Sequence, residues 1–258
     1  MKIIDVNAAF GFWPIQRFSA NTLEELESTF AKAGVEEVWL SAIESILFPE
    51  PDSWDTRLFA RLADFPRFRP VKTVNPILAN WQQGWDRVRA SLAAVKLFPN
   101  YHGYSLDDDR VAEICRKAVE EKIPVLIPMR VNDERNQPHF LQVKGVSAEE
   151  IVALSLRHPE TCLVALCPYN WELFVLAKGG RRLLMDFSFL DGITSLDKEM
   201  KNLSTLERAS GVVSPDRLVF GSGEAFLHLE SAKRKLQFGN LPEDAAQGIA
   251  SGNISSAY

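Results

Sequence analysis

The stretch that decides the fold is Ile3-Ile4-Asp5-Val6-Asn7-Ala8-Ala9-Phe10-Gly11. A mostly apolar run of strand length ending in glycine reads as a first β-strand. Side chains alternate along a strand, so residues 5, 7 and 9 are expected on one face. The chain then repeats the plan. Val35–Ile43, Arg69–Asn75, Ala94–Phe98, Pro124–Met129, Cys162–Cys167, Leu183–Phe187 and Arg217–Ser222 each read as a short strand. Helices are predicted between them at Thr22–Ala33, Asp52–Asp64, Trp81–Leu92, Asp107–Glu121, Ser147–His158, Trp171–Lys178 and Leu196–Ser210. Asn21 is the expected N-cap of the first helix and Gly34 its left-handed end. His228–Gln237 and Pro242–Ile249 finish the chain as further helices.

Strands alternating with helices predict a closed parallel sheet, and 258 residues suit one α/β barrel of about that size. Pro124–Met129 is apolar throughout, as a strand covered on both faces should be. An open, doubly wound sheet is the rival, but the first βα turn lacks the Gly-x-Gly-x-x-Gly of a nucleotide-binding sheet. The expectation is a (β/α)8 barrel forming a single domain over residues 1–258.

With 29 basic and 34 acidic residues and no basic stripe, nucleic acid is not an expected partner. No apolar run approaches the ~20 residues that cross a bilayer, so no membrane is expected either. A strand beginning near residue 3 leaves no room for a signal peptide. The three cysteines, Cys115, Cys162 and Cys167, form neither a disulfide framework nor a zinc motif. Cys162 and Cys167 are expected on opposite faces of their strand. Together these features predict the cytoplasm.

Barrel active sites lie at the C-terminal ends of the strands. That rule selects Asn7, Ala9, Asn75, Lys96, Phe98, Pro128, Arg130, Cys167, Asp186, Ser188, Gly223 and Glu224. At these ends the chain resembles the amidohydrolase-related TIM-barrel family of metal-dependent hydrolases and decarboxylases. Ile4–Gly11 and Val95–Ser105 carry the resemblance, with Pro124–Pro128 on the fifth strand and Arg217–Gly223 on the eighth. It implies a metallo-dependent-hydrolase-like barrel with a divalent metal held by a His-x-His pair on strand one, a histidine on strand five and an aspartate on strand eight. Those positions fall on Asn7 with Ala9, on Pro128 and on Gly223. Histidines common on strands four and six fall on Phe98 and near Cys167. Alanine, proline and glycine offer no side-chain donor, and an amide is a weak ligand. The remaining histidines, His102, His139, His158 and His228, show no ligand spacing. No metal and no cofactor is therefore expected.

The candidate catalytic residues are Lys96, His102 and Glu224. Lys96 is either a Schiff-base nucleophile made reactive by desolvation, or a buried ion-pair partner of Asp5, Asp186 or Glu224. Glu224, one position past the lost aspartate, is either a general base or a surface or helix-capping carboxylate turned away from the site. His102 either transfers a proton or fixes a turn. The candidate ligand-binding residues are Asn7, Tyr101, Tyr104, Arg130 and Asp186. Arg130 and Arg135 either clamp a carboxylate or belong to a solvated charged loop with Asp133 and Glu134. The Phe12-Trp13 pair covers the barrel mouth or packs beneath a neighbouring loop; exposed, it would mark a subunit interface and a homo-oligomer. Three functions fit. The first is an amidohydrolase-like barrel without its metal site, binding a small ligand or partner. The second is a metal-independent lactonase, hydrolase or decarboxylase acting on a small carboxylated or cyclic substrate. The third is a metal hydrolase with relocated ligands.

Overall fold

The computed structural model describes residues 1–133, 137–190 and 205–257. Eight parallel strands lie side by side in chain order: β1 (Ile4–Phe10), β2 (Glu37–Ala42), β3 (Phe68–Thr73), β4 (Ala94–Lys96), β5 (Val125–Pro128), β6 (Leu163–Leu166), β7 (Leu183–Asp186) and β8 (Leu218–Val219). The ring closes through single hydrogen bonds: Val6 N donates to Phe220 O at 3.0 Å and Gly223 N to Asn7 O at 2.8 Å. This is the predicted (β/α)8 barrel.

Alternation along the strands builds two apolar layers. Val125 and Ile127 of β5 face outward toward the helices with Leu40, Val95 and Met185. Leu126 faces inward with Trp39, Val71, Val164, Leu184 and Val219, filling the barrel as a core rather than a pore. The C-terminal residues add to this filling. A helical segment after Glu243–Gln247 continues through Gly248–Gly252 to Asn253–Ser255. Ile254 joins the inner layer, and Asn253 Nδ2 donates to Pro215 O at 2.8 Å and Leu218 O at 2.7 Å.

β1 breaks the expected alternation. Its pairing with β2 shifts register between Asp5 and Ala8, so Ile4 and Val6 enter the inner layer and yet Asn7 and Ala9 also face the barrel mouth. Asp5 therefore does not share a face with Asn7 and Ala9. Its Oδ1 instead accepts from Asn7 N at 3.0 Å and Ser222 N at 2.9 Å, tying β1 to the chain after β8. Cys167 interrupts alternation too, with φ of 60°. Cys162 and Cys167 consequently pack in the same inner layer instead of on opposite faces, and all three cysteines are free and buried.

Several helix boundaries differ from expectation. Thr22, not Asn21, caps Leu23–Ala33, because its hydroxyl accepts from Glu25 N while the Glu25 carboxylate accepts from Thr22 N. The predicted Trp81–Leu92 helix divides into Trp81–Asp86 and a tight turn at Arg89–Ser91, and Trp171–Lys178 shortens to Leu173–Leu176. The loop after β4 holds a helical turn, Pro99–His102. Of the predicted helix Leu196–Ser210, the described part is helical from Thr205 to Val212; its beginning, like Glu134 and Arg135, lies outside the described residues. Among the described residues no helix is long and apolar enough to cross a membrane.

Candidate active site at the barrel mouth

Residues from the ends of most strands meet at the mouth, although Asn75 after β3 does not, its Nδ2 donating to Pro49 O at 2.8 Å. Asn7, Ala9, Phe98, Pro128, Cys167 and Gly223, the six positions singled out by the resemblance, all line one cavity. Lys96, Ser41, Arg130 and Glu224 line it too, and its volume is about 20 Å³. That is room for about one water molecule. Ile46, Phe98, Val131 and Phe226 give it an apolar side. Trp13 is buried and meets Phe226 edge-on at 5.2 Å, as expected of a residue packed beneath a neighbouring loop, whereas Phe12 is exposed.

The floor of the cavity is a polar chain. Lys96 Nζ donates to Asn7 Oδ1 at 3.3 Å and to Ser41 Oγ at 3.2 Å. Asn7 Nδ2 in turn donates to Asp186 Oδ2 at 2.8 Å and to Cys167 Sγ at 3.3 Å. Asp186 also accepts from Ser188 Oγ at 2.9 Å and Cys167 N at 2.7 Å. The expected ion pair of Lys96 with a carboxylate is thus replaced by an amide bridge through Asn7. The chain can hold its charges because each group has a partner; unpaired, they would be prohibitively costly this deep. Burial moves the ionisable groups the way desolvation requires. The Lys96 ammonium is lowered to about 8, mainly by burial, with Cys167, Asp186 and Asp5 opposing. Asp186 is raised by burial, and Asp5 is raised to about 6 for the same reason. The Cys167 thiol is pushed up to about 12, which makes it a poor nucleophile.

Glu224 lines this cavity, contrary to the expectation that its side chain turns away. Gly223 takes a left-handed φ of 72°, which redirects the chain and brings the next side chain inward. Its carboxylate accepts from Leu229 N at 3.0 Å, at the start of the helix Leu229–Gln237, and from Ser19 Oγ at 3.3 Å. Glu224 is therefore a helix-capping carboxylate that is buried rather than on the surface, and burial raises its pKa.

Arg130 is likewise not on a solvated loop. It is buried and pairs bidentately with Glu172, Nη1 to Oε2 at 2.7 Å and Nη2 to Oε1 at 2.6 Å. Its guanidinium lies 3.8 Å from the centroid of Tyr169, and Nη1 donates to Cys167 O at 2.6 Å. The fork expected for a ligand carboxylate is filled by a carboxylate of the chain itself. His102 is also internal, its Nε2 bonded to Ser45 O at 3.0 Å, tying the turn after β4 to the turn after β2. Tyr101 packs edge-on against Phe98, with centroids 6.2 Å apart, and Tyr104 lines a separate outer groove with Asn100 and Lys144. Of the candidates, Asn7, Lys96, Arg130, Asp186 and Glu224 thus come together at the mouth, while His102, Tyr101 and Tyr104 do not line the cavity.

Two participants escaped the sequence reading. Ser41 was legible as the one hydroxyl in the apolar run Val38–Ile43. Glu172 left no local signal, because it meets Arg130 across two strands.

Of the six positions singled out by the resemblance, only Asn7 and Cys167 carry a side-chain donor atom. Ala9, Pro128 and Gly223 carry no ligand atom, Asn7 spends its amide on Lys96 and Asp186, and the Lys96 ammonium sits beside it as a resident cation. Among the described residues, no group of three or more His, Cys, Asp or Glu side chains is placed to hold a metal.

No protein-family profile and no curated protein matches this chain. Solved structures do. 2,6-Dihydroxybenzoate decarboxylase from Rhizobium superimposes with a TM-score of 0.71 at 12% identity, covering 99% of this chain and 98% of that one. A putative amidohydrolase from Staphylococcus aureus gives 0.71 at 13%, covering 100% and 99%. A probable 2-pyrone-4,6-dicarboxylic acid hydrolase from Acinetobacter baumannii gives 0.61 at 13%, also covering 100% and 99%. At these identities the likeness is one of fold. The chain has the TIM-barrel fold of the amidohydrolase-type decarboxylases and hydrolases.

Proposed function

We propose that this chain is an amidohydrolase-like barrel without the metal site, which binds a small ligand and does not carry out metal-assisted hydrolysis. The observation that carries this reading is that Ala9, Pro128 and Gly223, three of the positions from which the resemblance expects metal ligands, line the mouth without a side-chain donor, while Asn7 is already bonded to Lys96 and Asp186. A cavity of about 20 Å³ leaves no room there for an aromatic acid or a lactone ring. Three free, buried cysteines support a cytoplasmic setting. The test is turnover of small esters, lactones and hydroxybenzoates, with and without added manganese or zinc. The reading expects none above background in either condition. Metal-dependent turnover would overturn it.

A second reading rests on one observation. The Lys96 ammonium, lowered to about 8, is in part a neutral amine at slightly alkaline pH, the state a Schiff-base nucleophile needs. Under that reading the chain is a metal-independent lactonase or decarboxylase, and the mouth around Lys96 opens to admit a carboxylated or cyclic substrate. Borohydride trapping of a carbonyl compound on Lys96, lost in Lys96→Met, would select it over the first.

A further inference from the structure

A different part of the surface has what the mouth lacks. Beside the β1 loop lies an open cleft of about 700 Å³, within the range of small-molecule sites. Its walls are aromatic: Phe10 and Phe18 are half-buried, and Phe12 is 69% exposed at the rim. Two guanidiniums, Arg17 and Arg61, reach it from different elements, the β1 loop and the helix Asp52–Leu62. Arg61 lies over the Phe10 ring at 5.6 Å, which orients its planar fork along the wall. Among the described residues, neither arginine has a carboxylate within ion-pair distance, although Glu24 feels the charge of Arg61. The one acid lining the cleft, Glu44, is engaged internally: its Oε1 accepts from Phe12 N at 2.9 Å.

The same contact ties the loop to a neighbouring turn. Gly11 has φ of 143° and packs against the Glu44 carboxylate so closely that a Cβ would collide with it. The backbone at Phe12 is thus joined to the helical turn Glu44–Leu47 at the edge of the cleft. Net positive lining in a chain of formal charge −5 is a local exception, and it selects against cations.

We propose that this cleft binds a small organic anion with a flat unsaturated body, its carboxylate or phosphate held by Arg17 and Arg61 and its ring laid against Phe10 and Phe12. Guanidinium forks match both acid groups, and the aromatic walls match a planar body rather than a saturated one. The proposal goes beyond the reading of the mouth by naming the ligand class and its site, and it stands or falls on binding alone.

Titration calorimetry on the full chain with benzoate, phenyl phosphate, benzamide and acetate tests it. Saturable one-to-one binding of benzoate or phenyl phosphate is expected, and the stronger of the two tells a carboxylate site from a phosphate site. Benzamide, which lacks the charge, and acetate, which lacks the ring, should each bind at least about tenfold more weakly. Arg17→Gln and Arg61→Gln should each weaken binding about tenfold, whereas Arg234→Gln, an equal charge loss on an exposed helix, should leave it unchanged. Absence of saturable binding, equal binding of benzamide, or equal loss in Arg234→Gln would overturn the site. None of these outcomes bears on turnover or metal at the mouth, so failure here is separable from failure there.

Discussion

Within the barrel mouth Lys96, Asn7, Asp186, Ser41 and Ser188 use one another, and the cavity above them has shrunk to about 20 Å³. Some ten residues beyond Asn7 in the same chain, Arg17 stands with Arg61 over a cleft of about 700 Å³, with no carboxylate within ion-pair distance of either among the described residues. The mouth is lined by Asn7 and Ala9 of β1 and the cleft by the loop that follows them, yet the two regions treat polarity in opposite ways. A polar group that is satisfied internally stabilises structure and offers little to a ligand. One left open at the surface costs little there and remains available. Candidate residues chosen by chemistry alone do not separate these cases, since Lys96 and Arg130 look at least as reactive as Arg17. Their partners do.

The comparison can be broken most forcefully at the mouth wall. Glu172→Ala leaves the Arg130 guanidinium buried without its carboxylate, a loss of roughly 3–5 kcal/mol for a pair of this kind. Chemical denaturation should show it as a lower midpoint with little change in slope. A loss below about 1 kcal/mol would mean that Arg130 is free to serve a ligand.

Lys96 gives the next effect. Its folded-state pKa is lowered from 10.5 to about 8, so the unfolded chain binds more protons between those values and stability should rise as pH rises through that window. The gain is on the order of 3 kcal/mol, and it should vanish in Lys96→Met. A flat profile in the natural chain would place the amine in solvent.

Asp5 has the opposite sign. Its pKa is raised from 3.8 to about 6, so the stability it contributes is present below the lower value and lost as pH rises through the upper one. Asp5→Asn keeps an oxygen for the Asn7 and Ser222 amides and should flatten the stability profile across that range by roughly 2–3 kcal/mol. A profile unchanged by this substitution would contradict the buried seam between β1 and the chain after β8.

The smallest effect sharpens the contrast from the other side. Arg17→Gln and Arg61→Gln should each change stability by no more than about 0.5 kcal/mol, as expected of exposed side chains with no ion-pair partner among the described residues. A larger loss would show that these arginines hold the fold rather than a ligand.

The fold was legible because its signals are local. Apolar runs such as Val125–Met129 and the left-handed Gly34 that ends the first helix declare themselves within a few residues; the capping pattern Thr22-x-x-Glu25 is equally local, but Asn21 beside it offered the same cap chemistry. The register shift in β1 was not legible: Ile4–Phe10 alternates acceptably in sequence, and the bulge arises only where β1 must meet both β2 and the short β8. That shift removed Asp5 from the face of Asn7 and made it a strand tie. At the site, sequence reasoning located the strand ends, and Asn7, Lys96, Asp186, Arg130 and Glu224 do converge there. It missed whom they touch, because each partner is distant in the chain. Glu172 meets Arg130, Ser45 meets His102, and Ser19 meets Glu224. Glu224 was misplaced for a smaller reason, the left-handed Gly223 before it. The cleft was hidden entirely, since Arg61 reaches the β1 loop from a helix some fifty residues away.

The account turns on what cation the mouth holds. The most direct measurement is the manganese, iron and zinc content of the full-length chain, purified without chelator from metal-supplemented cells and compared with Lys96→Met. With Lys96 as the resident cation, both proteins carry far less than one metal per chain. A metal near one per chain in the natural protein, removed by chelator with a fall in stability, would contradict it.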